Sequence, residues 1–94
     1  MKQLNKDNFK EFINQDKVLV KFSTEFCYPC KLLAKSLQEM TDVTSGEISA
    51  EDESEIADFY NVQSVPTLII FQKGKEVRRA VGITRKKDVQ ELWR

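Results

Sequence analysis

The spacing of apolar residues alternates between a helical period and a strand period along this chain, and this alternation limits the fold more than any other feature. Four segments show helical spacing, and four short runs rich in β-branched and aromatic residues indicate strands. The alternation predicts an α/β domain in the order βαβαβαββα, with a mixed central sheet flanked by helices; no residues are assigned to the first of its five strands. Because 94 residues fit one compact domain, we assign residues 1–94 to a single domain.

The strands are predicted from short apolar runs. Residues 17–23 predict a central strand covered on both faces, with Lys21 as the polar exception. Residues 47–50 predict a weaker strand. A Lys-Gly turn separates two further strand-like runs, residues 67–72 and 76–81. This pattern predicts a terminal antiparallel hairpin.

The ends of the helices are predicted from capping residues. Asn5 or Asp7 is expected to cap the first helix, and Thr84 the last. The longest helix follows Cys30 and is expected to end at residues 44–46.

Composition excludes several classes of function. The 15 basic residues balance the 15 acidic ones, so no net positive charge attracts nucleic acid, and we expect no nucleic-acid partner. The longest apolar run, residues 68–71, is far below the roughly 20 residues of a membrane span, so we expect no membrane partner. Residues 1–12 lack the apolar segment of a secretory signal, and we expect a cytoplasmic location. The chain has no His, which removes His-dependent catalysis.

Two cysteines, Cys27 and Cys30, lie where the central strand leads into the longest helix. The unpaired N–H groups at a helix start stabilise a thiolate, and reactive cysteines there have pKa values of about 3.5 to 7.5. We therefore predict that Cys27 is a partly exposed nucleophile and that the more enclosed Cys30 resolves a mixed disulfide. Pro29 fits the first helical turn, where its missing N–H has no partner to lose, and stiffens the dithiol loop.

Two other interpretations of the cysteine pair compete with a redox role. A zinc site needs four ligands, and the chain supplies two thiols and no His, so we predict no metal site. Inert buried cysteines are less consistent with a strand-to-helix junction, where the first sulfur is expected to be exposed. A C-x-x-C motif in this setting favours redox chemistry.

Over its whole length the chain resembles the thioredoxin family. The matching segments are residues 20–31 (VKFSTEFCYPCK), 65–67 (VPT), 71–74 (FQKG) and 81–82 (VG). The resemblance implies a thioredoxin-like fold in which Pro66 is a cis proline packed against the dithiol. It also implies that Val65 offers backbone groups to an extended substrate peptide. The alternative for Pro66 is an ordinary proline at the entry of a strand.

The residues around the cysteines depart from the family pattern. Thioredoxins usually have Trp before the first cysteine and Gly-Pro between the two, whereas this chain has Phe26 and then Tyr28-Pro29. The residues between the cysteines tune the redox potential, so Tyr28 is compatible with a reductant or a milder exchange catalyst. Glutaredoxins have these two residue types in the opposite order, but their Gly-Gly element is absent at residues 81–83. This absence favours a thioredoxin-like over a glutaredoxin-like, glutathione-coupled protein.

The resemblance also indicates a reversed buried charge pair. Lys21 occupies the position of the family's buried aspartate, which helps to accept the proton of the resolving cysteine, and Glu47 occupies that of the family's paired lysine. We predict that Lys21 and Glu47 form a semi-buried ion pair beneath the dithiol, with Glu47 relaying the proton through water. A cation there would lower the thiol pKa values and weaken the protein as a reductant. The alternative is that Lys21 extends past the sheet edge to solvent.

Taken together, these features predict a protein-disulfide oxidoreductase that binds no metal or organic cofactor of its own. The resemblance implies electrons from NADPH through a flavin-dependent thioredoxin reductase, although glutathione or a dedicated reductase would also serve. We expect a monomer that acts on disulfide-containing proteins. The alternative from another class is a non-catalytic binding module of the same fold. The apolar rim expected to receive the partner polypeptide consists of Phe26, Tyr28, Pro29, Val65, Pro66, Gly82 and Ile83.

Overall fold

A computed structural model describes all 94 residues and gives the element order predicted from the sequence. The strands are β1 (Lys2–Leu4), β2 (Val18–Ser23), β3 (Ser45–Ser49), β4 (Thr67–Gln72) and β5 (Lys75–Val81). The helices are α1 (Phe9–Ile13), α2 (Tyr28–Gln38), α3 (Ser54–Phe59) and α4 (Lys86–Trp93). The sequence pattern had assigned no residues to the short strand β1. None of the four helices has the length and apolar composition needed to cross a membrane.

The five strands form one mixed sheet in the order β1-β3-β2-β4-β5. β1, β3 and β2 run parallel, whereas β4 is antiparallel to β2 and pairs with β5 in the terminal hairpin. Every residue of β2 is buried, which confirms it as the central strand. In the turn of the hairpin, Lys73 and Gly74 both have positive φ angles, of 52° and 85°. These angles match the type of turn that is preferred when a two-residue loop joins two antiparallel strands.

The helices cover both faces of the sheet, and each face has its own apolar core. On one face α1 and α3 pack against the even-numbered positions of β2, and on the other α2 and α4 pack against Leu19. Lys21 is on the same face as Leu19, because side chains two residues apart on a strand share a face. The central strand therefore directs one charged side chain under α2.

An aromatic cluster closes the α1 and α3 face. The ring of Tyr60 lies edge-on to those of Phe59 and Phe71, with centroid distances of 4.9 and 5.2 Å. Burial raises the pKa of Tyr60, and the charge of Glu76 raises it further. The guanidinium of Arg79 donates to the Tyr60 carbonyl at 2.6 Å, and its hydrogen bond with Glu76 raises the pKa of Arg79. Strand β5 is thereby tied to the end of α3.

The predicted caps of the first and last helices were wrong. The residue preceding α1 is Asn8, because the Asn5 carboxamide instead accepts the N–H groups of Asp7 and Asn8 and closes a separate turn. The residue preceding α4 is Arg85, whereas the Thr84 carbonyl accepts the hydroxyl of a serine on α2.

The predicted end of the longest helix was also wrong. Helix α2 ends at Gln38, and Gly46 lies inside β3, where it pairs with Lys2 on one side and Val20 on the other. The glycine is needed here for its small size. A Cβ atom at position 46 would lie 2.7 Å from Leu4 Cδ1 and 3.0 Å from Phe12 Cε2.

We expect Gly46→Ala to destabilise the fold by about 1–3 kcal/mol, because the added methyl group must displace the side chains of β1 and α1. Urea unfolding followed by circular dichroism measures this loss. Ser45→Ala, at the adjacent position of β3, is the control, and it is expected to stay within about 0.5 kcal/mol of the parent chain. Equal stability of the two variants would contradict the close packing at Gly46.

Candidate active site

The two cysteines lie at the start of α2 and are joined as a disulfide. β2 ends at Ser23, a short loop follows, and Cys27 is the N-cap residue of α2. The Cys30 N–H donates to Cys27 Sγ at 3.2 Å, so the first sulfur accepts one of the unpaired N–H groups at the helix start. Pro29 is in the first turn, as predicted. The same backbone groups favour an anionic sulfur once the disulfide is reduced.

The expectation that Cys27 is exposed was wrong for this disulfide form. Cys27 is 8% exposed and Cys30 is 3% exposed. The cause is the N-cap geometry, which turns the Cys27 side chain back over the first helical turn. The neighbouring rings are exposed instead, Phe26 at 91% and Tyr28 at 71%. A partner molecule that approaches Cys27 therefore contacts the exposed rings of the residues directly before and after Cys27 in the sequence.

Pro66 lies at the same end of the sheet as the disulfide. The Val65–Pro66 peptide bond is cis, as the family resemblance implies. Thr67, which follows, pairs with Phe22 near the end of β2. The Gly82 N–H donates to the Pro66 carbonyl at 2.9 Å, which brings the loops before β4 and after β5 together.

The rim residues predicted from the sequence differ in exposure. Pro66 is buried, Val65 and Ile83 are partly buried, and Gly82 is exposed. These four come from two loops at one end of the sheet, while Phe26, Tyr28 and Pro29 come from the start of α2. Their role in binding a polypeptide stays a prediction.

Lys21 and Glu47 pair directly across adjacent strands. They are register partners in β2 and β3, and Lys21 Nζ lies 3.1 Å from Glu47 Oε2. The Lys21 side chain is only 1% exposed, so it does not extend past the sheet edge to solvent, whereas Glu47 is 30% exposed. Lys21 Nζ also donates to the carbonyl oxygen of Cys30 at 3.0 Å. The buried ammonium group thus contacts both the carboxylate and the backbone of the second cysteine.

Ser23 is a polar contact that the sequence interpretation missed. Its hydroxyl donates to Glu47 Oε2 at 2.8 Å. Ser23 is two residues beyond Lys21 on β2, and strand periodicity was the signal that the two side chains share a face. The carboxylate also lines an open polar cleft together with Gln3, Ser23, Thr24, Glu25, Ser49 and Asp52.

The structure groups no three Cys, Asp or Glu side chains that could hold a metal ion. The two cysteines of the chain form a disulfide with each other, and no free cysteine remains. The residues present therefore offer chemistry through the sulfur pair and through the polar network of Lys21, Ser23 and Glu47.

Comparison with known sequences assigns residues 1–93 to the family model described as Thioredoxin. The chain is 40% identical over 96 residues to a thioredoxin of Chlamydia pneumoniae, covering 98% of this chain and 94% of that protein. It is 33% identical over 85 residues to a thioredoxin of Mycoplasma pneumoniae, covering 86% of this chain and 83% of that protein. These relatives favour the thioredoxin-like prediction over the glutaredoxin-like alternative.

Solved structures confirm the predicted fold. A mutant thioredoxin from Halobacterium salinarum superposes with a TM-score of 0.88 at 25% identity, covering 98% of this chain and 88% of that chain. The oxidised thioredoxin from Plasmodium falciparum also gives a TM-score of 0.88, at 23% identity, with 98% and 93% of the two chains covered. The second similarity, at this level of identity, concerns the fold alone.

The ion pair beneath the disulfide generates a prediction about stability. Glu47→Ala leaves the buried Lys21 ammonium without its counter-charge, so we expect a loss of about 3 kcal/mol. Lys21→Met removes the charge at similar length, and Glu47 keeps its serine donor and its access to solvent. We therefore expect a change within about 1 kcal/mol for Lys21→Met.

Urea unfolding of the oxidised proteins measures both changes. The double variant Lys21→Met/Glu47→Ala is the control, because removing the ammonium as well should recover most of the stability lost in Glu47→Ala. Equal losses in the two single variants, or no recovery in the double variant, would show that the buried charge does not set the cost.

Proposed function

This chain belongs to the thioredoxin family, and we propose that within it Cys27 is the attacking thiolate and Cys30 the resolving thiol. With its redox-active cysteine pair the chain is a thiol-disulfide oxidoreductase. Thioredoxins carry no cofactor of their own, and the sulfur chemistry needs none. The observation that carries the assignment of roles is the placement of Cys27 at the N-cap of α2, with its sulfur accepting a helix-start N–H.

In the first step the Cys27 thiolate attacks one sulfur of a substrate disulfide. A Cys27–substrate disulfide bond forms, the substrate S–S bond breaks, and the first substrate thiolate leaves and takes a proton from solvent. The N–H groups at the start of α2 stabilise the attacking thiolate. The rim residues listed above receive the substrate polypeptide beside the sulfur.

In the second step Cys30 loses its proton and attacks Cys27 Sγ. The Cys27–Cys30 disulfide forms, the mixed disulfide breaks, and the second substrate thiolate leaves and is protonated. Two electrons have then passed from the dithiol to the substrate. We assign Glu47 as the acceptor of the Cys30 proton through water, since its carboxylate is 30% exposed and is held by Lys21, which also contacts the Cys30 carbonyl.

The partners and the location follow from the same proposal. The substrates are disulfide-containing proteins, and a flavin-dependent thioredoxin reductase returns electrons from NADPH to the Cys27–Cys30 disulfide. A reducing compartment such as the cytoplasm suits a dithiol that acts as a reductant.

The cysteine roles are tested by reduction of a protein disulfide with purified protein and alternative recycling systems. We expect turnover with thioredoxin reductase and NADPH, and none with Cys27→Ser, because the attacking sulfur is lost. Cys30→Ser should instead accumulate a mixed disulfide with the substrate, visible on non-reducing gels, because Cys27 still attacks but nothing resolves the product.

Each control tests one alternative. Turnover with glutathione and its reductase alone would assign the protein to the glutaredoxin-like class. Full function of a variant with both cysteines replaced by Ser would indicate a binding module. A trapped disulfide through Cys30 in Cys27→Ser would reverse the assigned roles.

Lys21 generates a second prediction from this mechanism. Its ammonium group lies against the Cys30 backbone, so its positive charge favours ionised sulfur in the dithiol form. We expect Lys21→Met to raise the pKa of the Cys27 thiol and to make the protein a stronger reductant. The ultraviolet absorbance of the thiolate, followed against pH, measures the first effect, and equilibration with glutathione measures the second.

Lys73→Met is a matched control, because it removes an exposed lysine in the distant hairpin turn that pairs only with the exposed Asp16. We expect it to leave both the thiol pKa and the redox equilibrium unchanged. An unchanged Cys27 pKa in Lys21→Met would show that the buried charge has no electrostatic effect on the dithiol.

A further inference from the structure

The hydroxyl of Ser23 holds the carboxylate that the mechanism uses as a proton acceptor. Ser23 is the last residue of β2, is 5% exposed, and donates to Glu47 Oε2 at 2.8 Å. The same oxygen lies 3.1 Å from Lys21 Nζ. We propose that Ser23 is a positioning residue for the resolving step, acting through Glu47. This inference rests on the proposed role of Glu47 and deepens it.

The geometry explains why a positioning residue is needed. Glu47 is 30% exposed, and a partly exposed glutamate has several side-chain conformations open to it. Lys21 and Ser23 are on one face of β2, and both contact the same carboxylate oxygen from there. Two donors from one buried strand therefore fix the direction of the carboxylate. With Lys21 alone, the carboxylate has freedom to turn about a single contact.

The hydrogen bond also suits the chemistry of the step. Both donors contact Oε2, so the other carboxylate oxygen, Oε1, is left to accept the proton. The cleft that Glu47 lines has a volume of about 290 Å³ and polar walls, so water there can take the proton from the carboxylate. The proton leaves the Cys30 sulfur, passes through water to Glu47, and is released from the cleft to solvent. The electrons stay with the sulfur atoms, so the relay needs no additional reactant.

The test separates attack from resolution by rapid mixing of the reduced protein with a symmetric aromatic disulfide. One coloured thiol is released when Cys27 attacks, and the second is released when Cys30 resolves the mixed disulfide. We expect Ser23→Val to slow the second release about tenfold and to leave the first unchanged, because one hydrogen bond to a charged group is lost. Ser23→Thr, which has nearly the shape of Val but keeps the hydroxyl, should retain the parent rate.

Three further variants distinguish positioning from a general loss of stability. Ser36→Ala removes a hydroxyl of α2 that donates to the Thr84 carbonyl at 2.7 Å, outside this network, and should affect neither release. Glu47→Gln should slow the second release, and adding Ser23→Val to Glu47→Gln should slow it no further, because both changes act through one carboxylate.

The outcomes also separate this inference from the proposed function. Additive effects of Ser23→Val and Glu47→Gln, or equal slowing in the Thr and Val variants, would contradict the positioning role. Normal resolution in Glu47→Gln, with the Cys27 and Cys30 roles intact, would overturn this inference and the base assignment while leaving the oxidoreductase in place. If the reduced parent protein released neither coloured thiol, the proposed function itself would be contradicted.

Discussion

A single buried ammonium group connects the three elements that carry the chemistry. Lys21 projects from the central strand β2, contacts a carboxylate on β3, and donates to the backbone of the second cysteine on α2. A buried charge without such partners would cost several kcal/mol, so the strand, its neighbour and the helix start are required to meet at this point. The position of the second cysteine is therefore coupled to the contacts that compensate the buried charge of Lys21.

Reversal of this charge pair changes the environment of the dithiol. The usual family arrangement has an acid at the fully buried position and a lysine on the next strand, whereas this chain has the cation at the buried position and the acid at the more open one. The carboxylate at position 47 is beside a polar cleft and has direct access to solvent. In the mechanism proposed above, Glu47 exchanges the proton with water and Lys21 stabilises the sulfur atoms, so different side chains serve the two tasks.

The sheet topology gathers the remaining site residues from distant parts of the sequence. β4 runs antiparallel to β2, so the first residue of β4 lies beside the end of β2. This is also the end of the sheet at which the disulfide lies. The loop after β5 returns to the same end and donates to the Pro66 carbonyl. Three separate segments thus lie at the same end of the sheet as Cys27, and the aromatic residues that flank Cys27 are exposed.

Features that depend on local chemistry can be predicted from the amino-acid sequence. The four helices, the four strands after β1, the burial of the central strand, the Lys-Gly turn and the placement of Cys27 at a helix start all follow from spacing and residue type within a few positions. The reversed charge pair of Lys21 and Glu47 could also be predicted, but only from the family resemblance. Other features depend on long-range contacts: Gly46 belongs to a strand only because two other strands pair with it. The Ser23 hydrogen bond and the shielding of Cys27 likewise depend on side chains brought together by strand register and helix packing, which no local pattern contains.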